Sequence, residues 1–196
     1  MSRLKYAALS AVVLMMIGEV GTVEATQMDP SKTTYGERTP RTPNELAVFA
    51  FLVGKWQGAG KSRLPDGKVA EFSVSWIGRY VLDGTAIADE AHGAYPDGRP
   101  AMGITFRQYD ASRKTWIVEF LNVSDSFLRK QVNSGSGSVT VNGPNVTVNS
   151  ESPGMSIREH YLVADRDNWV YRLDVSTDGG RSWSEGQVEM TFRRSE

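Results

Sequence analysis

Few side chains in this 196-residue sequence have the type and spacing to do chemistry. Glu159 and Tyr161 alternate with Ile157, so on a strand they share a face with an apolar residue. Arg129 alternates with Phe127 in the same way. Inside a fold, a buried polar group needs a partner. Glu159 and Arg129 can pair there and leave donors for a ligand carboxylate or hydroxyl. The alternatives are an internal ion pair of purely structural use, or a register that turns both side chains outward. A carboxylate among apolar groups also has a raised pKa, which suits proton transfer. That chemistry would belong to a cofactor-free isomerase, lyase or hydrolase, with Glu159 assisted by Tyr161 or by His92.

Other chemistries are poorly supplied. Histidine occurs only at His92 and His160, and cysteine is absent. Ordinary metal sites take three or four ligands, so no metal is expected. Disulfides and thiolate reactions are ruled out. His92 falls in the stretch AHGAYPDGRP and reads as a loop side chain or a residue on a pocket rim. His160 alternates with Arg158, on the face opposite Glu159 and Tyr161. There is no nucleophile elbow and no Ser-x-x-Lys, so no catalytic residue is assigned. The segment Ser176-Thr177-Asp178-Gly179-Gly180-Arg181-Ser182-Trp183 resembles the Asp-box of sialidases. A single copy without repeats cannot build a propeller, so it is expected to be a structural hairpin.

The elements that must position these residues are short strands. Val69 to Ile77 alternates, with Ala70, Phe72, Val74 and Trp76 on one face. Further strands are expected at Trp56 to Leu64, Tyr80 to Asp89, Met102 to Tyr109, Thr115 to Asn122 and Phe127 to Asn133. The series continues at Ser138 to Asn142, Asn145 to Asn149, Met155 to Val163, Trp169 to Val175 and Trp183 to Arg193. That makes about ten hairpin-linked strands at the spacing of a sandwich or barrel. Parallel pairing would need helical crossovers for which there is no room. A short helix beginning near Pro43 and ending at Gly54 precedes them, with a largely apolar surface. Trp56, Gly58 and Gly60 share a face, and glycines there relieve crowding where a strand bends to close a barrel. If Trp56 points inward, alternation also nominates Phe72, Val74 and Trp76, then Met102, Ile104 and Phe106, and then Trp116, Val118 and Phe120. Trp169, Tyr171 and Leu173, with Val188, Met190 and Phe192, complete the lining. Such a lining suits a small apolar ligand, or simply fills the barrel. The candidate ligand-binding set is Trp76, Phe106, Trp116, Arg129, Glu159, Tyr161 and Tyr171.

Composition narrows the partners. The formal net charge is −1, with mixed signs along the chain, so no nucleic-acid surface is expected. Arg3 and Lys5 precede the apolar run Tyr6 to Gly18, and Val23-Glu24-Ala25 suits cleavage after Ala25. The run is about thirteen residues, short of the roughly twenty that span a membrane. Residues 1–25 are therefore read as a signal peptide and 26–43 as a polar linker. The barrel domain is expected over 44–196, in the periplasm or secreted, with no membrane span after processing. Oligomeric state is not legible.

Two runs carry a family resemblance: Phe51-Leu52-Val53-Gly54-Lys55-Trp56-Gln57-Gly58-Ala59-Gly60, and Arg158-Glu159-His160-Tyr161 with Trp169, Asp178 to Trp183 and Phe192-Arg193-Arg194. Over roughly residues 46 to 194 the chain resembles uncharacterised bacterial lipocalin-like families of the calycin group. The resemblance implies an all-β, antiparallel, up-and-down barrel of about ten strands, one end closed by the helix, and no established reaction. The opening is also similar to nitrobindin, except that Ser62 stands where that pattern has a further glycine. That likeness implies haem held by a late-strand histidine, for which His160 is the only match. The leading expectation is an exported barrel binding a small apolar or amphipathic molecule without a cofactor. The enzyme and the haem carrier are the alternatives.

Overall fold

The computed structural model describes residues 36–64, 66–94, 98, 100–122, 138–152 and 154–196. The signal-peptide and most of the linker expectations, the strand at 127–133 and Arg129 lie outside them. Asn44–Leu52 forms a 3-10 helix rather than an α-helix. Three residues per turn stack positions i and i+3. Leu46, Phe49 and Leu52, spaced by three, are accordingly its fully buried face.

Ten strands follow: β1 Gly54–Arg63, β2 Val69–Val81, β3 Ala86–Ala94, β4 Pro100–Asp110, β5 Thr115–Asn122, β6 Ser138–Asn142, β7 Asn145–Ser152, β8 Met155–Val163, β9 Asn168–Ser176 and β10 Ser184–Ser195. They form one antiparallel sheet in the order β5-β4-β3-β2-β1-β10-β9-β8-β7-β6. The chain therefore meanders, and pairing of β1 with β10 joins its two halves, with Gly58 opposite Phe192 and Gly60 opposite Met190. The edge strands β5 and β6 approach each other without a ladder, leaving a nearly closed barrel. No helix among the described residues is long and apolar enough to cross a membrane.

Two local expectations are corrected. A strand was expected to run through Tyr80 to Asp89, but Asp83 and Gly84 take φ of 55° and 76°, and Thr85 N–H bonds to the Leu82 carbonyl at 3.2 Å. Positive φ at both central residues is the Asp-Gly hairpin turn, which ends β2 and begins β3. His92, expected in a loop, lies within β3 on the outer face, 3.2 Å from Glu90 Oε2.

The helix caps one end of the barrel. Trp56 Nε1 donates to the Leu52 carbonyl at 3.0 Å. Gly78 of β2 has no room for a β-carbon because the Leu52 carbonyl lies against it. Phe49 meets Trp116 edge-on at 5.1 Å and Phe51 meets Trp169 at 5.7 Å. On the last strand, Arg194 stacks 4.0 Å from the Trp56 ring and donates to the Val53 carbonyl, tying β10 to the start of β1.

Candidate functional site

The lumen is filled at the helix end and hollow at the other. Its floor is aromatic: Trp169 stacks on Phe192 at 4.2 Å and meets Trp76 and Trp56 edge-on at 5.3 and 5.9 Å. Beyond the floor is a cavity of about 290 Å³, lined mainly by Phe72, Val74, Ile157, Leu173, Val188 and Met190, with Met102 and Phe120. That volume is near the lower end for a small-molecule site. Gly60 makes room for two side chains of that wall, since a β-carbon there would fall 2.5 Å from Phe72 and 2.9 Å from Met190.

Polar groups enter this apolar wall at few points. Glu159 of β8 is half-buried on it, and its Oε1 accepts the Tyr171 hydroxyl at 2.9 Å. Burial raises the Glu159 pKa, opposed by the charge of Arg107 and by the Tyr171 hydrogen bond. Burial also lifts Tyr171 well above its ordinary value, and the neighbouring Glu159 charge adds to that. Trp76 is 4% exposed, and its indole N–H has no partner among the described residues. Among the described residues Thr105 is the other polar side chain on the wall.

Beneath lies a buried ionic network. Arg107 on β4 and Asp89 on β3 are both essentially inaccessible and form a direct ion pair through Nη1 and Oδ2. Arg107 Nη2 donates to the Tyr161 hydroxyl at 2.7 Å. Burial pushes the Asp89 carboxyl up to about 6, against the pull of Arg107. Burial works against the Arg107 charge too, but Asp89, Tyr161 and Glu159 outweigh it and hold the guanidinium more firmly protonated. Burial also raises Tyr161, so it stays a neutral hydroxyl.

The structure brings three of the nominated residues together on the cavity wall: Trp76, Glu159 and Tyr171. Tyr161 points inward but sits in the floor, packed against Phe49 and Tyr171. Trp116 is inward as well, but at the helix end, where it lines the groove between β5 and β6 with Val139 and Val141. Phe106 is a correction. The inward positions of β4 are Thr105 and Arg107, and Phe106 pairs with Ala88 and Glu119 on the opposite face. Met102 and Ile104 were nominated with it; Met102 still reaches the cavity rim, whereas Ile104 is exposed. Sequence reasoning thus missed Asp89, Thr105 and Arg107. A usable signal existed: the Asp110 turn sets Tyr109 opposite Trp116, so an inward Trp116 places Tyr109, Arg107 and Thr105 inward.

The haem alternative does not fit these residues. His160 faces outward, its Nε2 2.9 Å from Asp174 Oδ2 and its Nδ1 3.2 Å from Thr147 Oγ1. His92 is also outward, so neither histidine of the sequence reaches the lumen. Among the described residues no cluster of His, Cys, Asp or Glu could hold a metal. The Asp-box segment is a hairpin knot. Asp178 Oδ1 accepts the amides of Arg181 and Ser182 at 3.0 Å, and Trp183 Nε1 donates to the Gly180 carbonyl. The Ser182 hydroxyl and these amides hold the Asp178 carboxyl down to about 2.

Fold and site together define a nearly closed ten-stranded antiparallel barrel whose lumen can in principle enclose a small molecule. The chain belongs to the family described as protein of unknown function DUF1579, matched over residues 42–194. Among solved structures it is similar to Rv2717c from M. tuberculosis, with 16% identity, a TM-score of 0.53 and coverage of 79% of this chain and 99% of that one. It is also similar to the S-type phycobiliprotein lyase CPES from Guillardia theta, with 11% identity, a TM-score of 0.52 and coverage of 80% and 94%. Such identities show the shared fold and nothing further. No curated protein matches the chain. The family of unknown function agrees with the broader resemblance read from the sequence.

Proposed function

We propose that this protein is an exported barrel that holds a small, mainly apolar molecule in the open half of its lumen. The observation that carries this reading is the apolar cavity above a packed aromatic floor, with the Glu159–Tyr171 pair as its main polar feature. A few placed polar groups in an apolar pocket is the usual composition of a ligand site. Export rests on Arg3 and Lys5 followed by the apolar run and the small residues ending at Ala25.

Native mass spectrometry of protein purified from the exported compartment tests both parts at once. The polypeptide mass is expected to begin at Thr26, and a mass excess lost on denaturation is expected to reveal the ligand. Ala91→Phe, which fills the cavity beside Trp76, is expected to remove the excess while the protein stays folded. A bound mass that survives this change places the ligand elsewhere.

The position of Glu159 supports a second reading, a cofactor-free enzyme in which this carboxyl transfers a proton. Its raised pKa and its contact with the Tyr171 hydroxyl suit an acid or base inside an apolar site. Once a turnover assay exists, Glu159→Gln is expected to reduce kcat by about 100-fold or more. Unchanged turnover removes this reading.

A further inference from the structure

Among the described residues the charges of the lumen do not balance, and the imbalance selects a ligand class. The described residues place one guanidinium and two carboxylates inside the barrel: Arg107, Asp89 and Glu159. Arg107 holds Asp89 through Nη1 and the Tyr161 hydroxyl through Nη2; its Nε has no partner among the described residues, but the whole guanidinium is sealed below the cavity. Glu159 makes one hydrogen bond, from Tyr171 to Oε1. Its Oε2 has no hydrogen-bond partner among the described residues, and the side chain is half-buried on the cavity wall. Among the described residues the elements facing it add no second cation. β9 contributes Tyr171 and Leu173, β7 contributes Val148, β10 contributes Val188 and Met190, and β4 contributes Thr105 above Arg107.

Resting on the ligand-binding reading above, we infer that the cavity takes a small apolar amine, its ammonium group bound to Glu159 Oε2. An ammonium supplies the charge that Glu159 lacks and makes a charge-assisted hydrogen bond, stronger than a neutral one. The Trp76 and Tyr171 rings on the same wall add attraction for a cation. The unpartnered Trp76 N–H, buried on that wall, is a spare donor for a ring face or oxygen on the ligand body. A carboxylate ligand would face Glu159 with no available cation among the described residues, and like charges in a low-dielectric site repel. Fatty acids and other anions are therefore the wrong class. The cavity of about 290 Å³ holds on the order of ten heavy atoms, taking about 30 Å³ for each.

The test is a size-matched series of phenethylamine, phenethyl alcohol and phenylacetate, titrated into the mature protein by calorimetry with tryptophan fluorescence alongside. Phenethylamine is expected to bind about tenfold more tightly than the alcohol, and phenylacetate more weakly than both. Burial raises the Glu159 pKa above the ordinary carboxylate value, so amine affinity is expected to rise with pH as Glu159 gives up its proton, while alcohol affinity changes little. Glu159→Gln is expected to bring the amine down to the level of the alcohol. The wild-type series and its pH profile stand even if that variant folds poorly. Phenylacetate binding as tightly as the amine overturns the inference, because a cation must then lie within reach of the ligand. An amine preference that persists in Glu159→Gln overturns it as well. If no member of the series binds, the amine inference falls, while the ligand-binding reading is decided separately by the native mass excess.

Discussion

Arg107→Met is expected to cost the fold about 3–5 kcal/mol at neutral pH, while the double variant Asp89→Leu/Arg107→Met regains most of that loss. The asymmetry follows from where the pair sits. Arg107 and Asp89 are both sealed from solvent, and the Tyr161 hydroxyl depends on the same guanidinium. Removing only the arginine leaves a carboxylate buried without its counter-charge and a phenol without its donor. Removing both charges leaves an apolar site in an apolar layer. The deficit must also depend on pH. Burial already lifts Asp89 from the ordinary 3.8 to about 6, even with Arg107 opposing. Between those values the folded state holds this proton more tightly than the unfolded chain, so stability falls as pH rises. Without Arg107 nothing comparable opposes burial, and the window extends further upward. The single variant is therefore expected to be weakest near pH 7 and to recover towards about pH 5, where Asp89 can be neutral. Urea unfolding of the parent, single and double variants at both pH values checks this. Equal deficits at both pH values, or a double variant no better than the single, would show that the pair is not what the network holds.

Legibility from sequence followed the physics of alternation. Trp56, Gly58 and Gly60, then Phe72, Val74 and Trp76, were assigned inward because large apolar groups and glycines shared one face, and they line the lumen. The same logic placed Glu159 and Tyr161 inward and His160 outward. It failed on β4, where Met102, Ile104 and Phe106 offered the more apolar face and Thr105 and Arg107 in fact turn inward. Apolarity is a sound guide to an inner face only where no buried ion pair competes for it. Asp89 and Arg107 pair across β3 and β4, a partnership separated by 18 residues that no local pattern announces. The Asp83-Gly84 turn was legible in principle, but the apolar Tyr80-Val81-Leu82 before it read as uninterrupted strand. Whether the lumen is hollow could not be read from residue types at all. It depends on how the floor aromatics crowd towards the helix, leaving the half beyond Trp76 to smaller side chains such as Ala91 and Gly103.

That crowding is what Trp169→Ala would undo, at an expected cost of about 3–5 kcal/mol and a fall in Tm of about 10 °C. Trp169 is 1% exposed at the centre of the floor. It stacks on Phe192, meets Trp56 and Trp76 edge-on, and receives Phe51 of the capping helix at 5.7 Å. Each such ring pair contributes about 0.5–1.5 kcal/mol beyond the area it buries, and one truncation forfeits several of them. Collapse cannot repair the loss, because the neighbours are rigid rings on strands fixed by their ladders. The control is another tryptophan. Trp183 in the Asp-box hairpin is half-exposed and packs under Arg158 at 3.9 Å. Trp183→Ala removes a surface stacking contact and one hydrogen bond to Gly180, so about 1 kcal/mol is expected. Thermal and urea unfolding of the two variants side by side separates the roles. If both cost the same small amount, the aromatic floor is not the core on which the barrel and its cavity rest. If the expected gap is found, the cavity persists because this floor stays rigid beneath it.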